Sequence, residues 1–327
     1  MRIFIALVVV AVLGWSGYWF WGANRVDEAV GDAIADLEAS GWTVETGGWD
    51  VRGFPNRFDT MIRTPDVTGP EGTYGWAAPF VQIMALSYQP NRAIVAFAND
   101  QEVAGPWGTA AVESARARGS ITVQPGETLV LDHSSFVLED VSVTDGDRVW
   151  ALSEVLFATR LPEEDAGGAV QNIGLTLADL DLPAALTRGL APDAARIGGV
   201  SLDANVTLTE PLGLAGTNTV AVEAVEIVRL NVDWGEIGVT ADGTLTAGPD
   251  GYAEGEIDLD IRDWRAALSR AGQLGVVAED DLGAIEQAVG FLTGLTGGGD
   301  RLSLPLVFRD GRAFVGPVPV AEAPRLR

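Results

Sequence analysis

The sequence predicts a mainly β protein: a long, curved, antiparallel meander sheet, shaped as an open groove or as a sandwich, with a few covering helices and one N-terminal transmembrane helix. Three observations lead to this prediction. An uncharged apolar segment opens the chain, apolar and polar residues then alternate over many short segments, and turn-forming residues separate those segments. Together they indicate a membrane segment followed by strands that tight turns join.

Residues 1–25 are predicted to form a transmembrane anchor with a short cytoplasmic N-terminus. The uncharged segment Ile3–Trp21 is long enough to cross a bilayer core as a helix. Arg2 precedes it, which favours a cytoplasmic N-terminus, and Trp15, Tyr18, Trp19 and Trp21 crowd its other end like an interfacial aromatic belt. A cleaved signal peptide needs small residues where this chain has tryptophans. We therefore expect an uncleaved, single-pass signal anchor with the rest of the chain in the periplasm.

The hydrophobic period changes after the anchor. Residues 26–41 have apolar side chains at helical spacing, which predicts a short amphipathic helix. Beyond it the period becomes two, as in VSLDANVTLT from Val200, where one face of a strand is apolar and the other polar. The same alternation recurs at 228–234 and 257–262. A single β-rich domain is therefore predicted over 42–327.

Turn signals and helix candidates complete the fold prediction. Five segments are predicted to join strands as hairpins: Gln89-Pro90-Asn91, Asp145-Gly146, Asp242-Gly243, Asp250-Gly251 and Asp310-Gly311. The helices available to cover the sheet are few: a short candidate over 182–190 and a helical insertion over about 263–296. The rest of the apolar face must curl on itself, pack against another sheet or receive an apolar ligand.

Composition argues against several kinds of site. The formal net charge is −25 and every one of the 21 basic residues is arginine, so the chain lacks the basic stripe of a nucleic-acid-binding protein. Without cysteine and with a single histidine, the chain cannot form a thiolate site or a two-histidine metal site, and we expect no metal and no cofactor. That histidine lies in the run Asp132-His133-Ser134, but neighbours on a strand point to opposite faces. We predict no catalytic residue.

The segment GFPNRF, from Gly53 to Phe58, is the most distinctive motif. Pro55 cannot donate to a strand ladder and favours an extended Phe54, while Gly53 supplies freedom in φ. Because both flanks have strand character, we predict a corner whose structural residues are Gly53, Pro55 and Phe58. The candidate contacts with a ligand or partner are Arg57, Phe54 and Trp49. Among these, the Arg57 guanidinium is suited to an anionic headgroup or a carboxylate.

Several stretches carry a family resemblance. The anchor, the short helix, TVETGGWDVRGFPNRFDTMIRTPDV, YQPNRAIVAF and LPLVFRDGRAFVGPVPVAEAPRL resemble an uncharacterised proteobacterial envelope family, domain of unknown function 2125. The likeness covers most of the chain, and its motifs are structural rather than chemical. The Phe-Pro corner between strands is also loosely similar to the start of AsmA-like proteins, which resemble lipid-conducting β-grooves. These resemblances imply a protein of the bacterial inner membrane.

Three functions are compatible with these features. We expect a non-enzymatic envelope protein, anchored in the inner membrane, that binds or shields lipid acyl chains or assists lipid and outer-membrane homeostasis. An alternative is a periplasmic protein–protein interaction or structural module with a dry core. A second alternative is a carboxylate-dependent hydrolase, because 46 acidic residues supply many candidate pairs. The expected partners are the membrane and either a lipid or another envelope protein, with no nucleic acid.

Overall fold

A computed structural model of the chain describes residues 1–126, 129–162, 169–188, 192–213, 220–274, 282–283, 286–287, 289–290, 299–316 and 318–327. Across these residues the chain is mainly β, with twenty strands, each of which has at least one antiparallel neighbour. An apolar helix precedes the strands. The mainly β, antiparallel fold class and the N-terminal apolar helix are therefore confirmed.

The chain groups into two compact units. The first contains Met1–Gly146 and Gly213–Thr219, and the second contains Asp147–Leu212 and Val220–Arg327. The single domain expected over 42–327 stays a prediction, because two compact units can still fold cooperatively.

The first unit begins with one long helix, α1, from Arg2 to Ala39. The segments expected as an anchor (1–25) and as an amphipathic helix (26–41) are parts of this one helix, which is about 57 Å long at 1.5 Å per residue. It ends where Gly41 takes a φ of 86° and the Trp42 N–H donates to the carbonyl of Leu37. Its most apolar window has a mean hydropathy of 2.1, so the helix is apolar and long enough to cross a membrane.

Eleven strands complete the described part of the first unit. Their bounds are Thr43–Glu45 (β1), Trp49–Arg52 (β2), Arg57–Arg63 (β3), Asp66–Thr68 (β4), Gly75–Ala77 (β5), Phe80–Leu86 (β6), Gln89–Phe97 (β7), Asp100–Gly105 (β8), Gly108–Glu113 (β9), Arg116–Gln124 (β10) and Val130–Asp145 (β11). They form two series of antiparallel pairs, β1-β4-β5-β8-β9 and β2-β3-β6-β7-β10, and both series end on β11.

The two series are halves of the same long strands. The pairing offset of β3 with β6 continues unchanged in β4 with β5, and that of β2 with β3 continues in β1 with β4. The breaks lie at 46–48, 64–65, 78–79, 98–99 and 114–115. Pro65 and Pro79 occupy two of them and have no N–H for the ladder. Each long strand thus runs from a corner end, beside residues 53–58, to a far end at the turns containing Tyr74 and Trp107.

The second unit is a meander in which each strand pairs with the next. Its strands are Arg148–Arg160 (β12), Val170–Asp181 (β13), Arg196–Leu208 (β14), Val222–Trp234 (β15), Ile237–Ala247 (β16), Ala253–Arg262 (β17), Arg301–Arg309 (β18), Arg312–Val315 (β19) and Val318–Glu322 (β20). Between β17 and β18 lies helix α2, Trp264–Gln273, whose N-cap Asp263 accepts a hydrogen bond of 3.1 Å from the Ala266 N–H. Short 3-10 helices lie at Pro70–Gly72 in the first unit and Pro192–Ala195 in the second.

Three of the five predicted hairpin turns lie between consecutive strands, and two predictions are wrong. Asp242-Gly243 lies inside β16, where Gly243 has a φ of 149° opposite an irregularity in β15. Gln89-Pro90-Asn91 begins β7, and the turn precedes it at 87–88. An Asp-Gly pair provides the φ freedom that a strand irregularity also needs, so the local signal does not separate the two.

The predicted helices have mixed outcomes. Residues 182–188 form turns rather than the expected short helix, with the Leu186 N–H donating to the Pro183 carbonyl, while 189–190 lie outside the described residues. The insertion over about 263–296 contains α2, and most of its second half also lies outside the described residues.

Candidate functional site

GFPNRF forms the turn between β2 and β3, which pair antiparallel. Gly53 has a φ of 105°, and a Cβ added there would lie 2.7 Å from the Arg57 carbonyl oxygen. Only glycine fits this position without displacing the backbone of β3. The Phe54–Pro55 peptide bond within the turn is cis. The motif therefore forms the turn that lets β2 and β3 pair.

Three side chains of α1 bind the backbone at this corner. The hydrogen bonds run from Trp15 Nε1 to Pro55 O (3.0 Å), from Tyr18 Oη to Ser87 O (2.5 Å) and from Trp19 Nε1 to Arg57 O (2.8 Å). The accepting carbonyls lie at the corner end of the sheet, where the strand ladder stops. The aromatic residues predicted as a membrane belt therefore also attach the helix to the sheet.

Phe58 lies beneath the helix at the same point. Its side chain is 4% exposed and packs against Trp19 and Ala23, with Val26 and Val51 alongside. The Phe58 and Trp19 ring centroids are 5.9 Å apart. This small apolar cluster joins the first strands of the sheet to α1.

Gly22 allows this close approach, and replacing it tests the contact. A Cβ at Gly22 would lie 2.6 Å from Phe58 Cζ, whereas nothing lies within 4 Å of a Cβ at Gly17. Both Gly22→Leu and Gly17→Leu raise helix propensity equally. We expect Gly22→Leu to lower the free energy of unfolding by about 1–3 kcal/mol relative to Gly17→Leu, as overpacked sites do. Thermal unfolding of both variants in one detergent measures this difference, and equal stability would contradict the helix–corner contact.

The other predicted contact residues also face the helix. Phe54 is 51% exposed, and its ring lies 5.8 Å from that of Phe20 and 5.4 Å from that of Trp19. The indole Nε1 of Trp49 donates a hydrogen bond of 2.9 Å to Asp27 Oδ1. The sequence pattern groups Phe54 and Trp49 near one turn but does not connect them with the helix, because the contacts span 22 or more positions in the chain.

The opposite face of this corner is charged. Arg57 Nη2 lies 2.8 Å from Asp59 Oδ2, and the Arg57 side chain remains 56% exposed. Nearby, Asp50 accepts hydrogen bonds from Arg63 and from Arg52. The bond from Arg63, more than any other contact, holds the pKa of Asp50 below its ordinary value. The corner therefore presents paired charges on one face and aromatic rings on the other.

In β11, His133 lies close to its neighbour in sequence, Asp132. A register shift lies between Thr122 and Val123 of the partner strand, and it lets the Asp132 carboxylate meet the His133 ring at 2.8 Å. The run therefore brings Asp132 and His133 together, a contact that the alternation of faces along a strand does not by itself indicate. Ser134 is buried and lies on the opposite face of β11 from His133.

A second candidate site is the apolar face of the second unit. Residues paired directly across strands share a face, and their registers align them into rows. We define the central apolar row as Phe157, Leu175, Leu202, Leu230, Ala241, Leu259 and Leu304. A parallel row contains Val155, Leu177, Val200, Val232, Val239, Ile261 and Leu302. Each row crosses the strands β12–β18, about 29 Å at about 4.8 Å per strand.

The reverse face of β13–β18 is polar. The row next to the central apolar row contains Thr176, Ser201, Asn231, Thr240, Asp260 and Ser303. Its members bond to each other, with Asn231 Nδ2 donating to Ser201 Oγ at 3.2 Å and Ser303 Oγ donating to Asp260 Oδ2 at 2.7 Å. Solvation explains this face, so the unusual surface of the second unit is the apolar one.

Side chains of the central apolar row are half-buried except Ala241, which is buried. Helix α2 covers the end of the face and leaves an apolar cavity of about 230 Å³. Its walls include Ile261, Leu302, Trp264, Ala267, Leu268 and Ala271. Leu230 and Leu259 also pack against a buried cluster that contains Leu245, Ile257 and Phe308. The described residues therefore fill part of this face and leave half-buried apolar side chains along the rest of it.

Comparison with known proteins identifies one family. The chain matches the family described as an uncharacterized protein conserved in bacteria (DUF2125) over residues 19–324, which include the GFPNRF corner and the apolar face of the second unit. No curated protein and no solved structure matches the chain. The looser likeness to AsmA-like proteins is not shown by these comparisons. Because the match extends over far more than half of the sequence, the chain belongs to the bacterial DUF2125 family.

Proposed function

We propose that the protein is a non-enzymatic, single-pass protein of the bacterial inner membrane whose periplasmic sheet binds lipid acyl chains. The observation that carries this proposal is the central apolar row, in which Phe157 and five half-buried leucines flank the buried Ala241, and whose reverse face is polar on β13–β18. Helix α1 would anchor the sheet at the membrane that supplies the lipid.

The size of the face suits an acyl chain. One acyl chain spans about half of the hydrocarbon core, or about 15 Å. The apolar row is about 29 Å long, from six strand spacings. Each methylene that leaves water for such a surface contributes about 0.8 kcal/mol. A chain lying across the strands would cover the half-buried leucines without requiring any hydrogen bond.

The chemistry of the two faces favours binding over catalysis. Acidic side chains such as Asp203, Asp258 and Asp260 lie on the polar face, away from the apolar row. A lipid on the apolar face would therefore meet methyl and methylene groups rather than paired carboxylates.

Photo-crosslinking in cells tests the proposal with a matched control for each position. Benzoylphenylalanine is placed at Leu202 or Leu230 of the apolar row, and at Ser201 or Asn231 of the polar row, in the full-length protein. After irradiation, mass spectrometry of the purified protein detects covalently bound phospholipid. We expect adducts at 202 and 230 and none at 201 and 231, because neighbouring residues on a strand point to opposite faces.

Two results would overturn the proposal. Equal labelling on both faces would indicate contact with the bilayer surface rather than a binding face. No adduct at any of the four positions, in variants that melt like the wild type, would favour a dry interaction module instead.

A further inference from the structure

The position of the corner along α1 limits how this helix can cross a membrane. Residues 1–15 are all exposed, and Trp15 is the first residue that bonds to the sheet. The free part of the helix, residues 2–14, is therefore only about 20 Å long at 1.5 Å per residue. The hydrocarbon core of a bilayer is about 30 Å thick, so the free part is too short to cross it.

The docked part of the helix must supply the remainder. Residues 15–21 continue the uncharged segment and add about 10 Å, which completes the span. These are the residues whose side chains bind the corner, through Trp15, Tyr18 and Trp19. When α1 spans the bilayer, the corner end of the first unit is therefore carried to the boundary between acyl chains and headgroups.

We propose that the corner end is a membrane-insertion site, in which Phe54 and Tyr88 enter the headgroup–acyl boundary of the periplasmic leaflet. Phe54 is 51% exposed on the turn between β2 and β3, and Tyr88 is 60% exposed on the turn between β6 and β7. Both turns lie beside the end of the apolar segment of α1. Interfacial segments bury their apolar side chains about 5–10 Å into this boundary, and aromatic rings favour it.

The backbone carbonyls of the corner already accept hydrogen bonds, as an apolar environment requires. A carbonyl without a partner is costly in lipid. The carbonyls of Pro55, Arg57 and Ser87 accept the three bonds from α1, and the Asn56 carbonyl accepts from the Ser87 N–H at 2.9 Å. The Gly53 carbonyl accepts from the amides that follow within the turn. Insertion of the turn would therefore leave these carbonyls paired.

Two arginine side chains lie at the level of the turn that would enter the membrane. Arg52 and Arg57 flank the turn on the charged face of the corner, with 80% and 56% of their side chains exposed. Guanidinium groups at this level can reach lipid phosphates while the rings of Phe54 and Tyr88 lie deeper. This inference rests on the proposed membrane span of α1 and is independent of acyl-chain binding by the second unit.

The natural absence of cysteine permits a direct test in the full-length protein. Single-cysteine variants Phe54→Cys and Tyr88→Cys are labelled with an NBD fluorophore and reconstituted into vesicles of phosphatidylcholine and phosphatidylglycerol. Controls are Tyr74→Cys and Trp107→Cys at the far end of the same sheet, where the native side chains are 53% and 60% exposed. Variants that melt like the wild type are compared for quenching by aqueous iodide and by lipids spin-labelled near the headgroup.

We expect labels at 54 and 88 to show blue-shifted emission, several-fold weaker iodide quenching and several-fold stronger lipid quenching than labels at 74 and 107. Four equally iodide-accessible labels, on protein that stays with the vesicles after alkaline washing, would overturn the insertion site alone. Protein released by that wash would overturn the membrane span as well. Failure of the crosslinking at Leu202 and Leu230 would leave this inference intact.

Discussion

Phe58→Ala is expected to lower the free energy of unfolding by about 3–5 kcal/mol, the usual cost of truncating a fully buried phenylalanine. Phe58 is 4% exposed and packs against Trp19 and Ala23 of α1 and against Val51 of β2. Hydrogen bonds hold the helix on the corner, so the site cannot readily collapse and the substitution leaves a cavity. Denaturant unfolding of the full-length protein in detergent, followed by circular dichroism, measures the loss.

Two neighbouring substitutions serve as controls. Phe54→Ala removes an exposed ring whose pairs with Trp19 and Phe20 are worth about 0.5–1.5 kcal/mol. Arg57→Ala removes the partner of the Asp59 carboxylate, whose side chain is 14% exposed, at a cost of about 1–3 kcal/mol, and keeps the carbonyl that binds Trp19. If Phe58→Ala proved no more damaging than these two, α1 would not pack on β3 as described.

Trp264→Ala is expected to lower the free energy of unfolding of the second unit by a similar amount, about 3–5 kcal/mol. Trp264 is 2% exposed at the start of α2, and its indole N–H donates to the Gly299 carbonyl at 3.2 Å. The substitution removes this bond and a wall of the apolar cavity that Ile261 and Leu302 also line. Hydrogen exchange of β17 and β18, together with denaturant unfolding, locates and measures the effect.

Trp107→Ala provides the matched control, because Trp107 is 60% exposed on a turn of the first unit. Exposed substitutions of this kind usually change stability by no more than about 0.5 kcal/mol. A loss as small for Trp264→Ala would mean that α2 does not close the cavity, and faster exchange confined to the first unit would place the effect elsewhere.

Much of the apolar face is predictable from the sequence alone. The alternation from Val200 to Leu208 assigns Leu202 and Ala204 to one face of a strand, because successive residues on a strand point to opposite sides. What alternation cannot provide is register. Leu202 is level with Leu175 and Leu230 only because of particular pairings, and the register shifts in β15 show that local spacing does not determine them.

The corner shows the same difference between what the local sequence predicts and what it does not. Gly53 and Pro55 mark a turn through their own backbone chemistry, and the structure places the turn there. The partner of that turn is not predictable in the same way. Trp15 and Trp19 have the composition of a membrane belt, and nothing local indicates that their indoles bind carbonyls 40 and 38 positions away.

Local patterns in the sequence are therefore enough to predict the apolar N-terminal helix, the mainly β fold class and the two-faced chemistry of the strands. These properties follow from short-range periodicity and composition, which depend on a residue and its nearest neighbours. The attachment of α1 to the GFPNRF corner, and the alignment of apolar side chains into a row across seven strands, emerge only in the folded chain. Both depend on contacts between segments that are distant in the sequence. The packing of the whole unit, rather than any local preference, determines which of these segments meet.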